Sequence, residues 1–479
     1  MAQTDFDVII IGGGGAGMSA ALAAAEAGVS VLLVEASARC GGATKLSSGA
    51  FYAANTRVQR EAGIDTDTPR AMFTYAMALN RYRMQPAVLQ RFCEEGSEAL
   101  HWLLDLGVKI KRISPSDVSG SGIPRSHWVD GGGAGITEVL EGRLQSAGVE
   151  VVTRTRVQKL VKENGNVAGI EIDGAIVRAK AIVVASGGFG ANEELLARYL
   201  PSQVKGRWYV GPPTSQGDAF GFGAAVGADL YGENRGLHLM SPGLNRTLEV
   251  APGWLVFVNR HGQRFMNEDA AYGIQNSAME GQPDQTAFAI MDQAAFDEPP
   301  SDFRFAPLIA AGELTTDWRH DTLETALQAG KILKGETLEE LASLAGIEPA
   351  EALVQTVARY NADVAAGADS LFFKNPGHLR QLSGGPYYAA VLTMQILGIT
   401  SCGLRIDRDA KVQDRFGRAI PGVYAAGEAA GGVMGEVYIG SGNSVAGAIT
   451  YGRIAGKNAA QYAQTSMAAA EHGSATADA

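Results

Sequence analysis

Six consecutive small residues near the N-terminus, Gly12-Gly13-Gly14-Gly15-Ala16-Gly17, fit the spacing G-x-G-x-x-G. In such a run Gly12 allows a tight turn and Gly14 lets the backbone approach a pyrophosphate. Gly17, preceded by Ala16, lets a helix lie close on a sheet. The helix that begins there aims its free N–H groups at negative charge. Glu35, followed by Ala36, stands 18 residues after Gly17. Its carboxylate can accept hydrogen bonds from ribose hydroxyls and would repel a 2′-phosphate. These residue types at this spacing suit the grip on a dinucleotide.

Two further glycine-rich segments extend that grip. Gly41-Gly42-Ala43-Thr44-Lys45-Leu46-Ser47-Ser48-Gly49 places backbone N–H groups and small hydroxyls just beyond the acidic residue. Such a loop can run along an extended cofactor, which points to FAD rather than NAD. Near the other end, Pro421–Glu428 reads as a strand entering a tight turn at Gly427-Glu428, and Gly440-Ser441-Gly442-Asn443-Ser444-Val445 opens a helix. Amides at that helix N-terminus can face a flavin pyrimidine ring and stabilise the charge that reduction places there.

The elements needed to position these loops are readable in the chain. Phe6–Ile11 is an apolar, β-branched run that reads as a buried parallel strand. An Ala-rich helix follows at Met18–Ala27, closed by Gly28, and then a second strand at Val29–Val34. This is a βαβ unit. Pro69–Leu106 reads as helical, Val151–Val161 and Val167–Ile172 as strands, and Lys180–Ala185 as a strand entering Ser186-Gly187-Gly188. From about Leu230 to Asn375 the pattern changes, with amphipathic helices at Thr337–Ala345 and Pro349–Ala365. The expected fold class is α/β. A Rossmann-like FAD-binding domain in two parts, 1–230 and 376–464, carries an inserted α+β substrate-capping domain at 231–375. An Ala/Ser/Gly-rich tail at 465–479 is expected to be disordered.

Composition narrows the function classes. A length of 479 residues suits two or three domains. Hydrophobic residues at 46% and charged residues at 19% allow a large core and exclude global disorder. The 61 glycines imply tight turns and close backbone approach to ligands. A net charge of −11 argues against a nucleic-acid surface. Cys40, Cys93 and Cys402 form no CxxC or CxxCH. That argues against a disulfide framework, a c-type haem or an iron–sulfur cluster, and no metal site is expected. The first strand begins too early for a signal peptide, and no uncharged run reaches the roughly 20 residues of a membrane span. A soluble cytoplasmic protein is the expectation, with the oligomeric state left open.

The segments IGGGGAG, GGATKLSSGA, ASGGFGAN, FVNRHGQRFMNE, GVYAAGEAAGGVMG and SGNSVAGAITYGRIAG follow one another across nearly the whole chain. In that order they resemble the flavoprotein family of fumarate reductase and succinate dehydrogenase flavoprotein subunits and 3-ketosteroid dehydrogenases. The resemblance implies cofactor contacts at Val157, Ser186, Gly187, Gly188, Asn192, Gly217 and Asp218, beside those in the three loops above. It also places Glu428 on the flavin ribityl chain and Ser444–Val445 at the pyrimidine end. Members of membrane complexes attach FAD to a histidine expected near Gly42–Gly49; none stands there, so non-covalent FAD is expected.

By this resemblance, a hydride moves between a substrate carbon and flavin N5 while a side chain moves a proton at the neighbouring carbon. In fumarate reductases an arginine beyond a V-N-x-x-G-x-R-F-x-N-E segment shuttles the proton. Here Val258–Glu268 carries the segment and the comparable place holds Tyr272. Their carboxylate-binding histidine falls in the stretch matching Ile399-Thr400-Ser401-Cys402-Gly403, and their second dicarboxylate-binding arginine falls at Tyr438. Tyrosines at both places resemble the ketosteroid dehydrogenases, with Tyr438-Ile439-Gly440-Ser441-Gly442 as their Tyr-x-Gly-x-Gly run. By that resemblance Tyr438 and the Gly442 N–H hold a ketone oxygen and stabilise an enolate. Tyr272 then takes the proton, its pKa drawn below the usual ~10. The two roles are exchangeable, although members that use the tyrosine at 438 as base usually carry a serine where this chain has Gly440. Trp128 and His127, in Arg125-Ser126-His127-Trp128, and Tyr388 and Ile399 are candidates for the substrate pocket.

The expected activity is therefore an FAD-dependent dehydrogenase that introduces a C=C bond beside the carbonyl of a 3-ketosteroid or smaller cyclic ketone. A diffusible electron acceptor or donor completes the reaction. The alternative is an ene-reductase of the fumarate or urocanate type, and a flavin-fold binding protein without turnover is the rival from another class.

Overall fold

A computed structural model describes residues 4–114, 122–163, 165–201, 208–244, 251–310, 312 and 315–475. The chain divides into two compact units, one comprising Met1–Val204, Tyr209–Leu237 and Leu397–Ala479, the other Lys205–Trp208 and His238–Ile396. The second unit thus runs to Ile396 rather than ending at Asn375. The reason is the strand Tyr387–Thr400, which pairs antiparallel with Thr286–Asp292 and with Ile332–Gly335.

In the first unit β1 (Phe6–Ile11) pairs in parallel with β2 (Val31–Val34) on one side and with Ala175–Val184 on the other. Ala419–Ala425 and Glu150–Val152 extend the parallel sheet at its two flanks. Val8, Ile9 and Ile10 are fully buried, as uninterrupted β-branched runs are when both faces of a parallel sheet are covered. Ile11, Val34, Val184 and Ala425 end their strands at one edge. The carboxyl edge of an open parallel sheet is where such folds bind ligands, and the turns that begin at Gly12, Glu35, Ser186 and Gly427 follow strands ending there.

Two helices are set onto that edge by small residues. α1 (Gly15–Glu26) packs against the terminal helix Asn443–Ala475. A Cβ on Gly452 would overlap the Ala16 carbonyl, and one on Gly456 the Ala20 carbonyl. The paired positions advance together, so the helices run parallel and their N-termini lie on the same side. The terminal helix continues to Ala475. The expected disordered tail is therefore helical over most of 465–479, and its last four residues lie outside the described ones. The helical stretch expected over Pro69–Leu106 is two helices, Pro69–Leu79 and Pro86–Leu106. Arg81 and Tyr82 take left-handed backbone in the break between them.

The second unit is built on a six-stranded sheet. Its residues alternate between two cores: Phe257, Ala287, Ala289 and Met291 face one, Val256, Val258, Phe288 and Ile290 the other. The helices Leu338–Ala345 and Ala350–Ala366 contribute to the second core. Among the described residues, no helix is long and apolar enough to cross a membrane.

Candidate active site

The turn between β1 and α1 is held by the acidic residue expected there. Glu35 Oε2 accepts the Gly13 N–H at 2.7 Å and Oε1 accepts the Ser37 N–H at 2.6 Å. A carboxylate can accept about four hydrogen bonds, so the same group can fix the turn and still meet a ribose. Gly12 has φ +105 and its missing side chain admits the Ala185 carbonyl. Gly17 is needed for a similar reason: a Cβ there would strike the Gly12 carbonyl. Gly14 differs, because a Cβ on it would meet nothing nearer than Gly42 Cα at 4.0 Å. That leaves open the face over which a pyrophosphate would lie.

The second loop folds back onto the first. Gly41 N–H donates to the Gly13 carbonyl at 2.8 Å, and Thr44 Oγ1 accepts the Gly15 N–H at 3.2 Å. Ser47 Oγ donates to the Thr44 carbonyl at 2.7 Å and accepts the Gly49 N–H at 3.2 Å. Ser47 thus shapes its own loop, while Ala43 and Ser48 are exposed. Gly49 and Gly133 let this loop press against the backbone of the helix Gly132–Ser146.

The third part joins residues far apart in the chain. A Cβ on Gly188 would fall on Thr400 Oγ1 and lie 2.7 Å from Glu428 Oε1. Glu428 Oε1 accepts the Thr400 N–H at 2.9 Å and its hydroxyl at 3.2 Å. Burial raises the Glu428 carboxyl to about 7, against the opposing effect of the Thr400 bonds. At the terminal helix, Gly442 has φ +92 and sits against the Ala50 carbonyl of β3 (Ala50–Tyr52). Ser186 Oγ and Asn443 Oδ1 are buried without a hydrogen-bond partner. Open space over Gly14, two orphaned polar atoms and two parallel helix N-termini fit an extended anionic cofactor. Residues 7–445 match the model of the FAD binding domain family. The chain belongs to that family.

This flavoprotein is an FAD-dependent oxidoreductase of the group that acts on carbon–carbon bonds. It is 31% identical over 471 residues to the fumarate reductase (cytochrome) of Shewanella frigidimarina, covering 96% of this chain and 77% of that protein. It is 28% identical to the vinyl phenol reductase of Lactiplantibacillus plantarum, covering 95% of this chain and 97% of that one. Among solved structures, it resembles the 3-ketosteroid-Δ4-(5α)-dehydrogenase of Rhodococcus jostii in complex with 4-androstene-3,17-dione. There the TM-score is 0.77 at 28% identity, over 96% of this chain and 98% of that one.

Several candidate cofactor residues also carry structural work. Asn192 caps the helix Glu193–Tyr199 by accepting the Leu195 N–H at 3.0 Å, and its amide N–H donates to the Gln216 carbonyl at 3.0 Å. Asp218 opens a helix and pairs with Arg156 at 2.8 Å. Gly217 has φ +83 and its N–H donates to the Gly188 carbonyl, so it supports the Ser186–Gly188 turn. Val157 lies in the core of the first unit, and Val445 is buried there too. Ala36 and Gly187 remain half-buried beside the cradle turns. Thr400 is the cradle residue that sequence reasoning passed over. Its signal was its place just before a glycine-bearing turn, but its partner Glu428 comes 28 residues later.

The pocket candidates fare unevenly. Tyr388 is 3% exposed, stacks on Phe296 at 4.0 Å and donates to Gln293 Oε1 at 2.7 Å. It is a core residue of the second unit, and its assignment to the pocket is corrected. Trp128 donates its indole N–H to Ser114 Oγ at 2.6 Å under the Arg112 guanidinium, which leaves a half-buried packing role. His127 Nδ1 faces the carbonyls of Phe51 and Arg125, and Nε2 meets Thr56 Oγ1 at 2.8 Å. Burial lowers its pKa to about 4, so it is a neutral core histidine. Arg125 beside it forms a buried bidentate pair with Asp67. Ile399 is half-buried next to Thr400.

Of the two tyrosines, Tyr438 sits at the N-terminus of the terminal helix. Its Oη lies 3.0 Å from Ser444 Oγ and accepts the Ser444 N–H at 3.1 Å. Burial raises the phenol pKa, and hydrogen bonds from Ser444 and the neighbouring amides only partly counter this. Tyr272 belongs to the second unit, half-buried as the first residue of the helix Tyr272–Glu280. Among the described residues, no group of His, Cys, Asp and Glu could hold a metal ion.

Proposed function

We propose that this flavoprotein is a dehydrogenase that desaturates a carbon–carbon bond beside a ketone, on a 3-ketosteroid or a smaller cyclic ketone. The observation that carries the reading is the Tyr438 phenol held at a helix N-terminus by Ser444. A phenol that keeps its proton at neutral pH is a donor, and a carbonyl oxygen is what it can serve. Gly442, fixed by its approach to Ala50, would add a backbone N–H. Bound FAD supplies the hydride acceptor. Tyr438, kept protonated, polarises the carbonyl, and Tyr272 removes the proton that polarisation acidifies. A diffusible acceptor then takes the electrons, and FAD is held without a covalent bond. The TM-score of 0.77 to a ketosteroid dehydrogenase supports this reading.

The FAD-loaded protein should bleach anaerobically with saturated 3-ketosteroids or cyclohexanone carboxylates. Bleaching by succinate alone would refute the ketone reading. Tyr272→Phe and Tyr438→Phe should each retain yellow cofactor and lose about 10²–10⁴-fold in turnover, the usual worth of a positioned proton-transfer group. Full activity in both would refute the assigned roles. A second reading, an ene-reductase running the same chemistry in reverse, is favoured by relatives named as fumarate and vinyl phenol reductases. Reoxidation of the reduced protein by fumarate or urocanate, with no turnover of ketones, would select it.

A further inference from the structure

Two buried ionic clusters in the second unit hold the first two residues of the short segment Glu268–Tyr272. At its start, Glu268 is fully buried and accepts from Arg264 at 2.7 and 2.9 Å, from the Phe257 N–H at 3.0 Å, and pairs with Lys374 at 3.1 Å. One residue on, Asp269 is held from every side. Its Oδ1 meets His378 Nδ1, Oδ2 accepts the Asn375 N–H at 2.8 Å, and its carbonyl accepts Arg304 at 3.2 Å. The far side of the imidazole faces a second carboxylate, with Nε2 3.2 Å from Asp302 Oδ1. Asp302 in turn binds Arg304 at 2.6 Å and accepts the Gly253 N–H at 2.8 Å. The Ala271 carbonyl then accepts the Ile274 and Gln275 N–H groups to start the helix that Tyr272 opens.

Nδ1 of His378 hydrogen-bonds Asp269, while Nε2 lies within ion-pair range of Asp302 without the alignment of a hydrogen bond, so negative charge on both sides of the ring favours the imidazolium. The charge count agrees. Asp269 and Asp302 against Arg304 leave one negative charge, which a protonated His378 cancels; the other nearby cation, Lys374, is engaged by Glu268. Phe303 stacks on the ring at 4.1 Å and covers it. Burial pulls the imidazole pKa down, and the two aspartates outweigh it, leaving it above its ordinary value. A group so raised contributes stability below its unfolded pKa and loses it as pH rises through the folded one.

We propose that His378 is a proton-operated positioning residue that, when protonated, locks the Asp269–Tyr272 segment and so aims Tyr272. This rests on the reading that Tyr272 handles the substrate proton. Loss of the His378 proton leaves an uncancelled buried charge beside Asp269 and loosens the segment, so activity falls on the alkaline side.

The test follows kcat against pH in the FAD-loaded enzyme with a turning-over ketone, together with hydrogen exchange of peptide 267–280. In the wild type both should lose their low-pH values together, the peptide's protection factor, with exchange corrected for its intrinsic pH dependence, falling about tenfold or more as kcat falls. His378→Gln should flatten both profiles. Asp302→Asn, which removes one carboxylate, should shift both to lower pH by about one unit or more. Alkaline limbs unmoved in both variants would overturn the proposal. If Tyr272→Phe keeps full activity, the Tyr272 reading fails instead, while the exchange profile still decides whether His378 is the latch. If His378→Gln does not accumulate as folded protein, Asp302→Asn and the wild-type exchange profile carry the decision.

Discussion

Glu428 lends itself to a quantitative test, because its buried position sets its charge against the stability of the fold. Burial raises its carboxyl from 4.5 to about 7 against the two hydrogen bonds from Thr400. A folded-state pKa above the unfolded one means the ionised form opposes folding. The cost is absent below about pH 4.5, grows as pH rises towards 7, and is constant above it. At 1.36 kcal/mol per pKa unit, the rise amounts to about 3 kcal/mol, trimmed to about 2–3 kcal/mol by the partial exposure of the side chain. Glu428→Gln keeps an acceptor for Thr400 and cannot ionise. The flavin-free variant should therefore match the wild type near pH 4.5 and exceed it by about 2–3 kcal/mol near pH 8. Thermal unfolding would read this as a gain of roughly 5 °C for a unit of this size. Flavin fluorescence titration should show weaker FAD binding in the same variant. A stability difference that stays constant from acid to alkaline pH, or a variant less stable than the wild type at pH 8, would refute the reasoning.

Two further outcomes follow from packing and charge. Gly442→Ala forces a side chain into left-handed backbone and onto the Ala50 carbonyl, so unfolding free energy should fall by about 2–4 kcal/mol, measured by urea titration. Glu268→Ala leaves Arg264 and Lys374 buried with one carboxylate, Asp369, between them. It should cost about 3–5 kcal/mol, and the double variant Glu268→Ala/Lys374→Met should cost less, because charge balance returns. A double variant as unstable as the sum of its singles would contradict the paired-charge account.

The sheet, the helix after it and the glycine turns were legible because they are local. Gly12, Gly14, Gly17 and Glu35 belong to one βαβ unit, and their roles depend on neighbours within that unit. The second unit's limit was not legible. A run such as Tyr387–Thr400 has apolar strand character whichever sheet it joins, and only its pairing with Thr286–Asp292 decides. Tyr388 misled for a related reason: a tyrosine after Gly385-Pro386 looks placed for a pocket, yet Phe296 comes from a distant helix to cover it. Asn192 reads as a ligand donor and serves as a helix cap, a use the residue type favours equally. Thr400 and His378 went unnoticed because each acquires meaning from acidic partners that the fold alone brings near, 28 and 109 residues away in the chain.

The two units solve the problem of holding a functional segment in opposite ways. The first does it with absent side chains: Gly188, Gly442, Gly452 and Gly456 each admit a backbone or a carboxylate that any larger residue would displace. Such contacts are unforgiving of substitution, and those of Gly442, Gly452 and Gly456, made to backbone carbonyls, are insensitive to pH. The second holds Glu268–Tyr272 with buried ions, Arg264, Lys374, His378 and three aspartates. Buried ion pairs add little net stability but fix geometry, and they can be retuned by changing one partner's charge.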